Sequence, residues 1–317
     1  MDTNSEVPRI KVVSARTNPD EGVVTWSPVK SLWLMSHALV AAIGGALTFS
    51  LQNILVFLVC TAATLCLGHS LGMHRRLIHN SYECPRWMEY FFVHLGVIVG
   101  MAGPFGMIKG HDLRDWAQRQ RHCHPYLRNG GKFLDDGWQQ LHCDLRLAYP
   151  PEYEFEPRIA SDRIYVFMER TWMLQQLPLT IVLFAIGGAP WVIWGICARV
   201  AMSVTGHWLI GWFAHNRGTR EWHVEGAAVQ GHNVQFTSLI TMGESWHNNH
   251  HAYPGSAKLG LLPGQCDPGW WVLCALKSLG LVWNVRLPQD MPARAELKAL
   301  PACANTEPCA LCRTFIT

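Results

Sequence analysis

The 317-residue sequence predicts an all-α membrane protein, with four transmembrane helices in two hairpins beneath a helical cytoplasmic cap. Three observations carry that expectation. Charged residues make up only 15% of the chain, against roughly 25% in soluble domains. Four apolar stretches approach the ~20 residues that a helix needs to cross a bilayer. Histidines gather at the ends of those stretches and in the polar segments between them, where imidazole nitrogens can converge on a metal.

The first span is expected at residues 32–49, with His37 as its sole ionisable residue, and the second at 54–73. The link from Ser50 to Asn53 suits a tight hairpin. The third span is expected at 172–188 and the fourth at 189–213, with Gly187, Gly188 and Pro190 marking the turn between them. Arg199 falls inside the fourth span. A guanidinium there is costly, so it either faces the protein interior or belongs to a tilted or irregular helix. The polar segments beyond the two hairpins are basic in places, which assigns them and both termini to the cytoplasmic side. A further apolar run, Tyr90 to Met107, is broken by glycines and Pro104. An even number of spans keeps the histidines on one side, so this run is expected at the interface or partly re-entrant.

These elements divide the chain into a flexible N-terminus (1–30), a membrane domain (31–288) and a cysteine-containing tail (289–317). The cytoplasmic cap is drawn from 74–171 and 214–288. A net charge of +3 gives no reason to expect nucleic acid, and 15 tryptophans suit a membrane–water interface. Eleven cysteines without paired spacing argue against a disulfide framework. Cys60, Cys66 and Cys197 lie in apolar runs and read as buried thiols. Cys309 and Cys312 form one CxxC beside Cys303, a weak signal for zinc or redox work.

The histidines point to chemistry. Trp246-His247-Asn248-Asn249-His250-His251 places three imidazoles at spacings of three and four, which share a helix face, so all three are expected to reach one spot. His74 and His79 close the second span, His122 and His124 lie in the first polar segment, and His215 ends the fourth span. His37, His94, His142 and His223 read as hydrogen-bonded or interfacial. Two hairpins held together bring the separated groups to one face, so the cap is expected to carry a histidine-rich metal site. No HExxH is present. No Asp or Glu is expected to recur at helical spacing beside the histidines, which separates the site from carboxylate-bridged di-iron bundles. Iron with imidazole ligands activates O2, chemistry that no side chain supplies. In a membrane the available substrate is a long acyl chain, whose methylenes need a strong oxidant. Removing hydrogens from two adjacent carbons gives an alkene; inserting oxygen gives an alcohol.

From about Leu32 to Pro288 the chain resembles the integral-membrane fatty acid desaturases of the acyl-CoA, stearoyl type. His74-Arg75-Arg76-Leu77-Ile78-His79 is similar to the family's first HxxxxH box and is continued by Asn80-Ser81-Tyr82. The run from Gly243 to Pro254, GESWHNNHHAYP, is similar to its third HxxHH box. His215, in AHNRGTR, matches the additional histidine after the last span. The middle box departs from the pattern. Aligning Trp116 puts Gln120, Cys123 and His124 in the three histidine slots, and Gly211 stands where the family often has an asparagine. His69, five residues before His74, makes a competing HxxxxH.

The resemblance implies two non-haem irons held by His74, His79, His124, His215, His247, His250 and His251. Gln120, Cys123, His111, His122, His207 and His232 are candidates for the missing contacts. It further implies a cis double bond placed in a long acyl chain in a bent tunnel, O2 as oxidant, and electrons from ferredoxin or cytochrome b5. The chain has no GxGxxG and no recognisable electron-transfer module, so a separate donor is expected. No catalytic side chain is expected beyond the metal centre. The acyl carrier, thioester or lipid, stays open. Two other readings compete: a lipid hydroxylase on the same scaffold, and a non-catalytic membrane electron carrier or lipid-binding protein.

Overall fold

The computed structural model describes residues 9–12 and 14–301; Cys303, Cys309 and Cys312 lie outside them. Helix α1 (Pro28–Leu47) begins on a proline, which is tolerated where the backbone N–H has no intrahelical partner. Ser50 caps α2 (Leu51–Ala63) by accepting from the Asn53 N–H, and Asn53 Nδ2 returns a hydrogen bond to the Thr48 carbonyl. The α1–α2 turn is therefore closed by its own polar residues. α2 runs on without a break into a π-helical stretch, Thr64–Ile78, and the two form one 28-residue rod.

After the rod come α3 (Arg86–Val97), α4 (Pro104–Arg119), the single-turn α5 (Pro125–Arg128) and α6 (Phe133–His142). The single-turn α7 (Pro157–Ala160) and α8 (Arg163–Arg170) follow. The next long apolar segment, Gln176–Asn216, contains α9 (Gln176–Val192) and α10 (Arg199–Asn216), joined by a π-helical turn. It is not straight. Gly188 has φ 66° and ψ −159°, a conformation that favours glycine and breaks the helix. The chain reverses there, because Arg199 Nη2 donates to Gln176 Oε1 at 2.6 Å. In an unbroken helix those residues would lie about 34 Å apart. α1 and α2 start four and three residues before the positions expected for the first two spans.

Among the described residues, three helices are long and apolar enough to cross a membrane: Pro28–Leu47, Leu51–Ile78 and Gln176–Asn216. Their outer faces expose Leu32, Leu39, Ile43, Val59, Ile181 and Phe184. Such a belt suits hydrocarbon rather than water. The chain is an integral, multi-pass, all-α membrane protein. Arg199 faces the interior, fully buried, and donates to the carbonyls of Gly195 and Ile98 as well as to Gln176. This resolves the span's costly charge by pairing it.

Helix α3 lies against the π-helical stretch instead of crossing the bundle. The backbones approach so closely that a Cβ at Gly68 would fall 2.3 Å from the Leu95 carbonyl carbon, and one at Gly72 2.5 Å from that of Phe92. The small-xxx-small spacing of Gly68 and Gly72 permits this contact. Met73, Leu77, Ile78, Val93, Val97 and Ile108 form the core behind it.

The N-terminal segment departs from expectation. Between residues 10 and 26, read as flexible, lie β1 (Ile10–Lys11) and β2 (Gly22–Trp26). They pair antiparallel with β4 (Glu152–Tyr153) and β3 (Cys143–Leu147), Ile10 opposite Tyr153 and Val24 opposite Leu145. Arg9 then reaches beneath: its guanidinium donates to the Ile78 carbonyl at 3.1 Å and to Asp112 at 3.1 Å. A third ribbon joins β5 (Trp222–Val224) and β6 (Leu297–Ala299). Helices α11 (His247–Ala252) and α12 (Pro268–Ser278) complete the cap.

Candidate metal centre

Five residues on an α-helix overshoot one turn by about 140°, so an HxxxxH pair there would diverge. The wider π-helical winding reduces the overshoot, and its ladder links residue i to i+5. The His79 N–H donates to the His74 carbonyl at 3.1 Å, and the two rings stand 4.8 Å apart. His111, from the middle of α4, adds a third ring 4.8 Å from His79. His250 adds a fourth, 4.6 Å from His74. The ligand atoms of His74, His79, His111 and His250 all lie within 4.8 Å of one another.

A second group holds His215, His247 and His251 to the same limit. His215 Nδ1 donates to the Gly211 carbonyl at 2.8 Å, which leaves its Nε2 bare. His247 Nε2 lies 3.0 Å from His215 Nε2 and 3.0 Å from His251 Nε2. A proton on His247 satisfies one neighbour and leaves the other lone pair facing a lone pair. A cation satisfies all three, and nitrogens about 2.1 Å from a shared ion stand near this spacing. The groups adjoin: His247 and His251 lie 5.8 and 6.1 Å, ring to ring, from His250.

The first group passes the same test. His79 Nε2, His111 Nδ1 and both nitrogens of His250 are buried with no hydrogen-bond partner. Leaving such atoms unpaired costs about 1–3 kcal/mol each. A metal is the ligand these bare nitrogens fit. Their charge state fits too, since metals bind neutral imidazole. Burial, reinforced by the neighbouring imidazoles, drives His79, His250 and His251 well below the ordinary histidine value. Burial lowers His247 to about 4. His111 is the exception. Burial works against its charge, but the Asp115 and Asp112 carboxylates outweigh it and raise the value.

Supporting residues hold α11 rigidly. Asn248 Oδ1 accepts from the Glu221 and Trp222 N–H groups, both at 2.8 Å, and its Nδ2 donates to the Gly231 carbonyl at 2.9 Å. Asn249 Nδ2 donates to the Leu259 carbonyl at 2.7 Å. Trp246 Nε1 donates to the Cys266 carbonyl at 2.6 Å. Gly231 leaves room: a Cβ there would meet the His247 carbonyl oxygen at 2.8 Å. The asparagines of the motif are braces, and the histidines are free to face the site.

The structure thus brings together six of the seven expected ligands, but in a different grouping. His247, His250 and His251 do not reach one spot. Positions three and four residues on differ by about 100° around a helix, so His250 turns to the first group while His247 and His251 serve the second. His124 joins neither. Its Nδ1 accepts from the Tyr126 N–H at 3.2 Å, capping α5. The cause is that α4 ends at Arg119 and Gln120 is extended (φ −71°, ψ 165°), which carries the middle-box positions away. Gln120 Nε2 turns back to the Trp116 carbonyl, and His122 is exposed. Cys123 is buried among Trp116, Ala117 and Leu127, and burial pushes its thiol up to about 11, so it is no thiolate. His69 and His207 pair with each other, ring centroids 5.2 Å apart, outside both groups, and His232 joins neither. The expected lack of carboxylates near the ligands also fails, since Asp115 follows His111 by one helical turn and its charge acts on both His111 and His247. The HDLRD spacing in α4 was the available signal. His37, His142 and His223 each hydrogen-bond locally, to Trp33, Ser31 and Arg220.

The fold and this site define a multi-pass membrane protein with paired histidine clusters suited to two metal ions. No family model matches the chain. The sn-2 palmitoyl-lipid 9-desaturase of Nostoc sp. (strain 36) is 31% identical over 264 residues, covering 78% of this chain and 86% of that protein. The Delta-9 acyl-lipid desaturase 1 of Arabidopsis thaliana is 30% identical, covering 72% and 73%. The Acyl-CoA C20 Delta5-desaturase of Anemone leveillei is 28% identical, covering 78% of each. The chain belongs to the fatty acid desaturases, a family of lipid-modifying oxidoreductases, without assignment to the acyl-lipid or acyl-CoA type.

Proposed function

We propose that this chain is an O2-dependent fatty acyl desaturase that places a cis double bond in a long acyl chain. The observation that carries the reading is the pair of adjoining histidine groups at the ends of the apolar rods. His74, His79, His111 and His250 would hold one iron, and His215, His247 and His251 the other. Iron so bound supplies O2 activation and hydrogen abstraction. Two hydrogens leave adjacent carbons, two electrons and two protons come from outside, and one O2 becomes two waters. Ferredoxin or cytochrome b5 suits the electron supply as a separate donor.

The chain's own residues set what is oxidised. The four arms, α1, α2 with its π-helical extension, and the two sides of the Gly188 break in Gln176–Asn216, are read as four spans in two hairpins. The site and both termini then face the cytoplasm. An acyl tail enters the apolar bundle beneath the ligands while its head stays at the interface. Each buried CH2 is worth about 0.8 kcal/mol, so long chains are preferred. The rigid backing of His247 and His250 by Asn248, Asn249 and Trp246 would hold the reacting pair of methylenes in one register. The carrier is an acyl lipid or an acyl thioester; named relatives act on both.

The test supplies reduced ferredoxin or cytochrome b5, O2 and a labelled saturated acyl lipid or thioester to the iron-loaded protein. Mass spectrometry should show a product lighter by two hydrogens at one position. A product heavier by one oxygen replaces this reading with a hydroxylase. No oxidation of either substrate class by fully loaded protein rejects both and leaves a non-catalytic carrier.

A further inference from the structure

Beside the seven clustered histidines, one carboxylate stands directly against a first-box ligand. Glu244 lies two residues before Trp246 and touches the first histidine box from across the fold. Its Oε2 stands 2.5 Å from His74 Nδ1. Its Oε1 accepts from Ser70 Oγ at 2.5 Å and from Arg75 Nη1 at 3.0 Å. Arg75 is itself anchored: its Nε donates to the Ala257 carbonyl at 2.7 Å and its Nη2 to Asp267 Oδ1 at 2.8 Å. The side chains of Arg75 and Asp267 are each 1% exposed. Both oxygens of Glu244 are thus committed, and the carboxylate cannot swing toward the metal pocket without breaking three contacts.

We propose that Glu244 is a positioning residue that fixes His74 for metal binding, its carboxylate lying against Nδ1 and leaving Nε2 to the first histidine group. The inference rests on the metal reading above. The physical reason is general. A carboxylate behind a ligating imidazole selects the tautomer, locks the ring plane and makes the far nitrogen a better donor. In this chain it does a second job. Glu244 joins the third-box segment to the first, so the loop that carries His250 and the helix that carries His74 are held in register by one side chain. Arg75, inside the first box, earns its place the same way, because Asp267 alone would neutralise it but would not reach His74. Gly243 makes the contact possible, since a Cβ there would fall 2.2 Å from Asp267 Oδ1.

The test is Co(II) titration of the full-length, detergent-purified, metal-stripped protein, reading cobalt per chain and the visible absorption of each bound ion. Wild type should take two ions. Glu244→Gln keeps the volume and loses the charge. It should weaken one site by roughly 10- to 100-fold and leave the His215, His247 and His251 site at wild-type affinity. Glu244→Asp keeps the charge with a shorter reach and should fall between the two. It also reads the same ratio if the glutamine variant does not fold. Equal affinity at both sites in the variants, or equal weakening of both, overturns the proposal, because a merely structural role has no preference between sites. A wild-type chain that binds no metal at all overturns the metal reading, and this inference with it.

Discussion

The backbone N–H of His79 donates to the carbonyl of His74, 3.1 Å away, and that i→i+5 bond puts both imidazoles in one group. The five-residue spacing of the first box makes sense only on the wider winding of a π-helix. α3 packs closely on this stretch at Gly68 and Gly72. The His74–His79 pair, His111 from α4 and His250 from α11 meet because three separate elements converge on one face.

His111, rather than His124, should serve the first group. His111→Ala should remove one of two irons and reduce product formation at least 100-fold. His124→Ala should keep both irons and near-normal turnover, at the cost of a cap hydrogen bond worth about 1 kcal/mol. Iron analysis of the two purified variants checks this; the reverse pattern would return the role to the middle box.

This contrast shows what the sequence discloses and what it hides. The clustering of His74, His79 and His215 with the third box is legible because the first three close apolar runs and the third box carries helical spacing. His124 lies apart from both groups because α4 ends five residues earlier, at Arg119, a boundary that the alignment on Trp116 does not disclose. His111 stood among several alternatives, since nothing in the sequence states which face of α4 meets the π-helical stretch. The π winding itself leaves no pattern in a string of residues. Neither do the β1 and β2 pairings, whose partners lie more than 100 residues away.

Stability of the metal-free protein should fall as pH falls. His247 has its value lowered from 6.5 to about 4 by burial, so between those values the unfolded chain binds a proton that the folded one refuses. Its contribution is intact above pH 6.5 and is lost as pH drops toward 4, on the order of 3 kcal/mol. His79, His250 and His251 act in the same direction. Thermal unfolding in detergent at pH 7.5 and at about pH 5 should show a clear drop in midpoint, and a flat profile would contradict the burial of neutral ligands.

Arg9 should matter far more than its position near the chain start suggests. It pairs with Asp112, next to His111, and caps the Ile78 carbonyl beside His79. Both side chains are about 5% exposed or less. Arg9→Ala leaves Asp112 buried without this partner, and should cost about 3–5 kcal/mol of stability. An unchanged unfolding midpoint would show that the N-terminal segment does not brace the first box.

Arg199→Leu should destabilise the bundle. The Ile98 and Gly195 carbonyls and Gln176 Oε1 lose this donor at once, at about 1–3 kcal/mol for each group left unsatisfied. Midpoints for wild type and variant in the same detergent decide it; equal values would mean the clamp across the Gly188 reversal is dispensable.

The most direct measurement of the central claim is the iron content of the purified wild-type protein, with its absorption spectrum. Two adjoining histidine groups predict two irons per chain and no haem band. One iron per chain, none after loading, or a haem spectrum would contradict the account.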